Sequence, residues 1–169
     1  MIGQQIIDKY KKIFADSQAI LEKTTMDSKG GEHATLESEI DIQKILDDAV
    51  RDITKRLAGI DLERAPSSLL EEDDDIASLY TATTGSFQIK VVCHAQTRLL
   101  RYIAEKMARR PVEDSEMEEV YVKEYFNILC GHVISKINRL TNGSARIGIP
   151  EYYRGFYVVD DCPGGMLEV

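Results

Sequence analysis

The chain has 169 residues, 43% of them hydrophobic and 30% charged, the composition of an ordinary folded domain rather than a disordered or fibrous one. Its 21 basic and 29 acidic side chains leave a net charge of −8, which repels a phosphate backbone and excludes nucleic acid as an expected partner. No apolar run approaches the roughly 20 residues that span a bilayer and MIGQQIIDKYKK has no secretory h-region, so no membrane role is expected and the cytoplasm is the expected location.

In chain order, Ile6, Ile7, Tyr10, Ile13, Phe14, Ser17, Ile20 and Leu21 recur at spacings of three and four, which predicts an amphipathic helix over residues 2–26. The polar stretch after it, with Gly30 and Gly31, reads as a linker, so residues 1–38 are expected to form a helical appendage and residues 39–169 the domain proper. Ile42, Ile45, Leu46, Ala49, Val50, Ile53 and Leu57 predict a helix over about 40–58, stopped at Gly59. Strand-like segments follow: DLERAPSSLL, DIASLYTATTG and SFQIKVVCHAQ, with the acidic run 71–75 as a solvated turn and Thr84-Gly85-Ser86 as the bend of a hairpin. Residues 97–109 return to helical period and end before Pro111. A long helix over 115–141 comes next, then a strand from Ala145 to Ile149, and YRGFYVVDD with GMLEV as a closing hairpin. The expected class is α+β, a mixed or antiparallel sheet covered by long helices, with one extra N-terminal helix.

On a helical wheel of roughly 100° per residue, Val122, Phe126, Leu129, Cys130, Val133, Ile137 and Leu140 share the arc that must face the sheet. Glu124, Asn127, Gly131 and Asn138 share another arc and point outward together. Glu and Asn three residues apart are neighbours on a helix surface. A mid-helix glycine costs about 0.5–1 kcal/mol relative to Ala, so Gly131 suggests a surface that something approaches closely.

The run Glu124-Tyr-Phe-Asn127-Ile-Leu-Cys-Gly131, with Pro150 separated from Asn127 by 22 residues, resembles the active-helix signature of the CheC, CheX and FliY phosphatases of bacterial chemotaxis. The single copy of the motif is most similar to CheX, and the resemblance extends over about residues 40–169. Val120 stands where the family pattern often has Asp or Ser. The resemblance implies hydrolysis of the aspartyl phosphate of a CheY-like response regulator, in chemotaxis or two-component signalling. Asn127 would position the attacking water, and Glu124 would pair with the receiver's lysine. Gly131, Asn138 and Pro150 would belong to the partner-binding surface. The chain would carry no cofactor of its own, Mg2+ would sit on the phosphorylated receiver, and a homodimer is implied. The alternative is a non-catalytic docking module of a signalling or flagellar-switch assembly with the same fold.

Other chemistries lack support. Cys93, Cys130 and Cys162 have no CxxC spacing and suggest neither a disulfide framework nor zinc. His33, His94 and His132, read as lying in the linker, in a strand and on the buried side of the long helix, offer no pair of metal ligands. Residues 143–148 contain glycines but no Lys-Ser/Thr and precede a strand, so they are not a phosphate loop.

Overall fold

The alternation of apolar residues in IASLYTATT and KVVCHAQ builds the centre of the fold. In the computed structural model, which describes residues 18–20, 42–63, 75–157 and 166–168, these segments are strands β2 (Ile76–Thr84) and β3 (Lys90–Gln96). They pair antiparallel in register from Ile76 opposite Gln96 to Ala82 opposite Lys90. Gly85, at φ 108°, lies in the bend between them, a conformation that favours glycine. Ala77, Leu79, Val91, Cys93 and Ala95 point to one face of this ribbon, as the two-residue period requires, and join the core beneath the helices.

Among the described residues, three helices cover that face. Helix α1 (Ile42–Ala58) buries Ile45, Leu46, Ala49, Val50 and Ile53, and its carbonyl at Lys55 accepts from the amide of Gly59. Helix α2 (Thr97–Ala108) follows β3 directly, buries Leu99, Leu100, Ile103 and Ala104, and closes on a left-handed Arg109 before Pro111. Helix α3 (Ser115–Thr141) is capped by Asp114, whose carboxylate accepts from the Glu116 amide at 3.0 Å, and it ends on a left-handed Asn142. The bounds of all three agree closely with the expected ones, and the α+β class with an antiparallel sheet is the one observed.

The remaining strands are short. Strands β4 (Arg146–Ile147) and β5 (Glu151–Arg154) both pair antiparallel with β2, on the edge that β3 leaves free. On the other side, β1 (Gln18–Ile20) lies between β3 and β6 (Met166–Glu168), giving the order β4-β2-β3-β1-β6. Of the expected closing hairpin, Tyr153 and Arg154 belong to β5 beside β2, residues 155–157 form no strand, β6 pairs with β1, and residues 158–161 lie outside the described residues. Of the expected helix over 2–26, only Gln18–Ile20 are described, and these are paired as a strand. That strand lies in the segment read as an appendage. Residues 61–63 of DLERAPSSLL form no strand, and residues 64–70 of it, with 71–74 of the acidic run, lie outside the described residues.

On the far face of the ribbon, Ser78 and His94 stand directly opposite each other, and the Ser78 hydroxyl lies 2.7 Å from Nδ1 of His94. That hydroxyl donates to the Gly155 carbonyl at 2.6 Å and accepts from the Tyr157 amide at 3.0 Å. Its single proton is therefore committed, so the His94 ring donates from Nδ1. This network ties the exit of β5 to the middle of the sheet.

Candidate functional site

The wheel positions of α3 are fixed by what its inner face buries. Val122, Tyr125, Phe126, Leu129, Cys130, Val133, Ile134 and Ile137 are all buried. Of these, Tyr125 and Ile134 were not assigned to the core by the wheel, and Tyr125 makes the more specific contact. It is fully buried, and its phenol shares a 2.6 Å hydrogen bond with the Thr54 hydroxyl on α1. Burial raises the pKa of that phenol, so it stays neutral and acts as a hydrogen-bonding pin between the two helices. The pin flanks Glu124 and holds α3 in one rotation about its axis. Two further links set the helix against its neighbours: Arg101 of α2 donates to Glu118 at 2.8 Å, and Lys136 reaches Asp48 of α1 at 3.4 Å.

With that rotation, Glu124 is exposed and Asn127 and Gly131 are half-exposed along one outward stripe, as expected. Among the described residues, no hydrogen bond or ion pair engages the Glu124 carboxylate or the Asn127 amide, which leaves both available to an approaching partner. A β-carbon built on Gly131 would meet nothing within 4 Å. The glycine is therefore not required by the packing of this chain, and its effect is to lower the surface one turn beyond Asn127.

The other expected partner-binding residues have internal positions. The Asn138 amide donates to the Ala145 carbonyl at 2.8 Å and its oxygen accepts from the Ala145 amide at 2.9 Å. It thus clamps the turn that leads from α3 into β4. Pro150 is buried just before β5. Two wheel assignments are corrected. Leu140 is 59% exposed, because the last turn of α3, residues 139–142, is exposed all round and has nothing beneath it. His132 is exposed and not on the buried side, whereas His94 is buried in β3. Burial also raises the pKa of the Cys130 thiol, so it behaves as a small apolar side chain under the stripe.

A groove runs from Gly131 along the C-terminal half of α3 beside β4. It is floored by Ile134, Ala145 and Ile147 and edged by Ser135, Arg139 and Arg146. The sequence carried no signal for it, since its two walls are brought together by the turn that Asn138 clamps. Among the described residues, no helix is long and apolar enough to cross a membrane.

The described residues thus form an antiparallel sheet covered on one face by helices, with acid, amide and glycine in line on the outward side of α3. A family model described as chemotaxis phosphatase CheX matches residues 78–163, from β2 to beyond β5. The chain belongs to the CheX family. Solved structures with a similar fold include a chemotaxis protein CheX from Desulfovibrio desulfuricans, 15% identical, with TM-score 0.56 over 76% of this chain and 83% of that one. A chemotaxis protein CheX from Vibrio vulnificus is 14% identical, with TM-score 0.54 over 73% of this chain and 85% of that one. A CheX–CheY–BeF3–Mg2+ complex from Borrelia burgdorferi contains a chain 15% identical, with TM-score 0.50 over 69% of this chain and 78% of that one. No curated protein matches the sequence.

Proposed function

We propose that this chain is a phosphatase that hydrolyses the aspartyl phosphate of a CheY-like response regulator. The observation that carries this reading is the outward, unengaged pair Glu124 and Asn127, beside the open space at Gly131, on a helix pinned from behind in a CheX-family domain. The Borrelia burgdorferi complex, in which a CheX is bound to CheY, supports a receiver as the partner.

Phosphoryl transfer needs little covalent help from protein groups, so positioning of an in-line water and neutralisation of charge provide most of the acceleration. The Asn127 carboxamide suits that task. Its oxygen accepts a hydrogen bond from the water, while its NH2 donates to the phosphoryl side, and neither has to titrate. The Glu124 carboxylate pairs with a cation of the receiver site and sets the register of the two proteins through a charge-assisted hydrogen bond. Mg2+ in this reading is carried by the receiver. Because both groups project from one rigid helix, their spacing is set before the receiver arrives.

A second reading, a non-catalytic docking module, draws on Val120, which is 65% exposed at the position where the family pattern often has a polar residue. Release of inorganic phosphate separates the two. A CheY-like receiver from the same organism, phosphorylated with acetyl phosphate, is expected to lose phosphate faster when this chain is added. Dephosphorylation at the receiver's own rate would leave the docking module as the account.

A further inference from the structure

The outward stripe of α3 does not stop at Gly131. Ser135 and Arg139 follow at four-residue spacing, so the same helix face runs from Val120 through Glu124, Asn127 and Gly131 to a guanidinium at its C-terminal end. Arg146 of β4 stands across the groove from that end, and no acidic side chain lines the groove. The setting makes this unusual, because the chain as a whole carries −8. A concave surface at the N-terminal end of α3 is lined by four acidic residues, Asp75, Glu116, Glu118 and Glu119, against two basic ones, Arg101 and Arg154. There Arg101 is paired with Glu118 at 2.8 Å. Among the described residues, Arg139 and Arg146 have no ion-pair or hydrogen-bond partner. The helix surface is therefore polarised lengthwise, acidic around its first turns and Glu124, basic beyond Gly131.

The groove is also preformed. Asn138 bonds both backbone groups of Ala145, Ser86 accepts from the Ser144 amide at 2.8 Å, and the Gly143 amide donates to the Asn138 carbonyl at 2.9 Å. A β-carbon on Gly143 would lie 2.8 Å from the hydroxyls of Ser86 and Thr141, which shows how tightly that turn is closed. Arg146 is thus mounted on a braced turn, and Arg139 on a helix held by its core face. Two guanidiniums carried on braced backbone beside an apolar floor suit carboxylates, which Arg engages with two parallel hydrogen bonds.

We infer that the groove beyond Gly131 is the second half of the receiver-docking surface, where Arg139 and Arg146 bind an Asp/Glu-bearing segment of the phosphorylated receiver and so fix which way round it lies on α3. This rests on the receiver reading above and adds to it the chemistry of the partner's second contact. A receiver lying the other way would place its acidic segment against Glu116 and Glu119 and its cationic site residue against Arg139, two like-charge contacts.

The test measures phosphate release against receiver concentration for the wild type and for Arg139→Glu, Arg146→Glu and Arg56→Glu. Arg56 is exposed near the end of α1, far along α3 from the groove, since Thr54 of α1 meets Tyr125 whereas Asp48 meets Lys136. Each groove variant is expected to raise the half-saturating receiver concentration by about threefold to tenfold with kcat unchanged, because charges of this kind act on encounter and orientation. That increase should shrink at about 0.5 M salt, where charges are screened within a few ångström. Arg56→Glu should match the wild type, and all three variants should melt as the wild type does. Groove variants indistinguishable from Arg56→Glu, with wild-type turnover intact, would overturn the groove assignment and leave the phosphatase reading standing. A loss of kcat in Arg139→Glu would also overturn it, since the guanidinium would then act on the reacting phosphate. If the wild type accelerates release from none of the organism's receivers, the phosphatase reading fails and the groove assignment fails with it.

Discussion

Helix α3 carries two faces of opposite character within 27 residues. The inner face packs Val122, Tyr125, Phe126, Leu129 and Cys130 against α1, α2 and the sheet, and among its polar atoms the Tyr125 hydroxyl is bonded across to Thr54. On the outer face, Glu124 and Asn127 have no hydrogen-bond partner among the described residues, and Gly131 has empty space where a side chain would be. The inner face spends its groups on folding, and the outer face holds them in reserve. Stability and activity should therefore respond to different substitutions one residue apart, and this separation is open to direct attack.

The largest effect is expected from Phe126→Ala, which removes a ring that is 1% exposed and should lower stability by about 3–5 kcal/mol, read as a shift in the urea midpoint. A loss below about 1 kcal/mol, the range of surface substitutions, would mean that the inner face is not what holds α3. Two residues before it, Glu124→Ala should leave the unfolding curve in place and raise the half-saturating receiver concentration by roughly tenfold, about 1.4 kcal/mol. Coupled losses of stability and affinity would contradict the division between the faces.

Gly131→Gln sharpens the same division with a gain on one side. Replacing an exposed helix glycine that has open space around it should add about 0.5–1 kcal/mol of stability while the longer side chain obstructs receiver docking. A variant that docks normally would show that the open space at Gly131 is not used. The smallest effect belongs to the far face of the sheet. Burial lowers the pKa of His94 below its usual 6.5. The folded state then binds fewer protons than the unfolded state below about pH 6.5, so this contribution to stability is complete above that pH and is lost as pH falls toward the lowered value. His94→Asn, which can still donate to Ser78, should flatten the decline in melting temperature between about pH 7 and about pH 5. Equal slopes in the two proteins would assign the decline to other groups.

Long periods were legible in the sequence and long-range partners were not. The expected helix over 115–141 and the observed α3 share both ends, and Val122, Phe126, Leu129, Cys130, Val133 and Ile137, which repeat at helical spacing, are buried as the wheel requires. The outward stripe was legible for the same reason. Tyr125 escaped assignment to the core because its burial depends on Thr54, 71 residues earlier. Leu140 was misplaced because a wheel continues indefinitely, whereas the packing partners of α3 stop before its last turn. Asn138 does lie on the outward side, yet the turn that follows folds back onto it and occupies its amide. Strand β5 was legible only in its last two residues, Tyr153 and Arg154, and its place beside β2 is a matter of topology, on which period-two alternation is silent. The Arg139–Arg146 groove is of the same kind, joined across a turn rather than along a helix face.

The central claim is that the outer face does chemistry as well as docking, and Asn127→Ala tests it most directly. An amide that positions water matters mainly in the transition state, so its removal should reduce kcat for phosphate release by on the order of a hundredfold while receiver binding is retained. Binding is followed separately with the receiver loaded with BeF3 and Mg2+, and folding by the thermal melt, which should match the wild type. Wild-type turnover in Asn127→Ala would contradict the account and leave α3 as a docking surface alone.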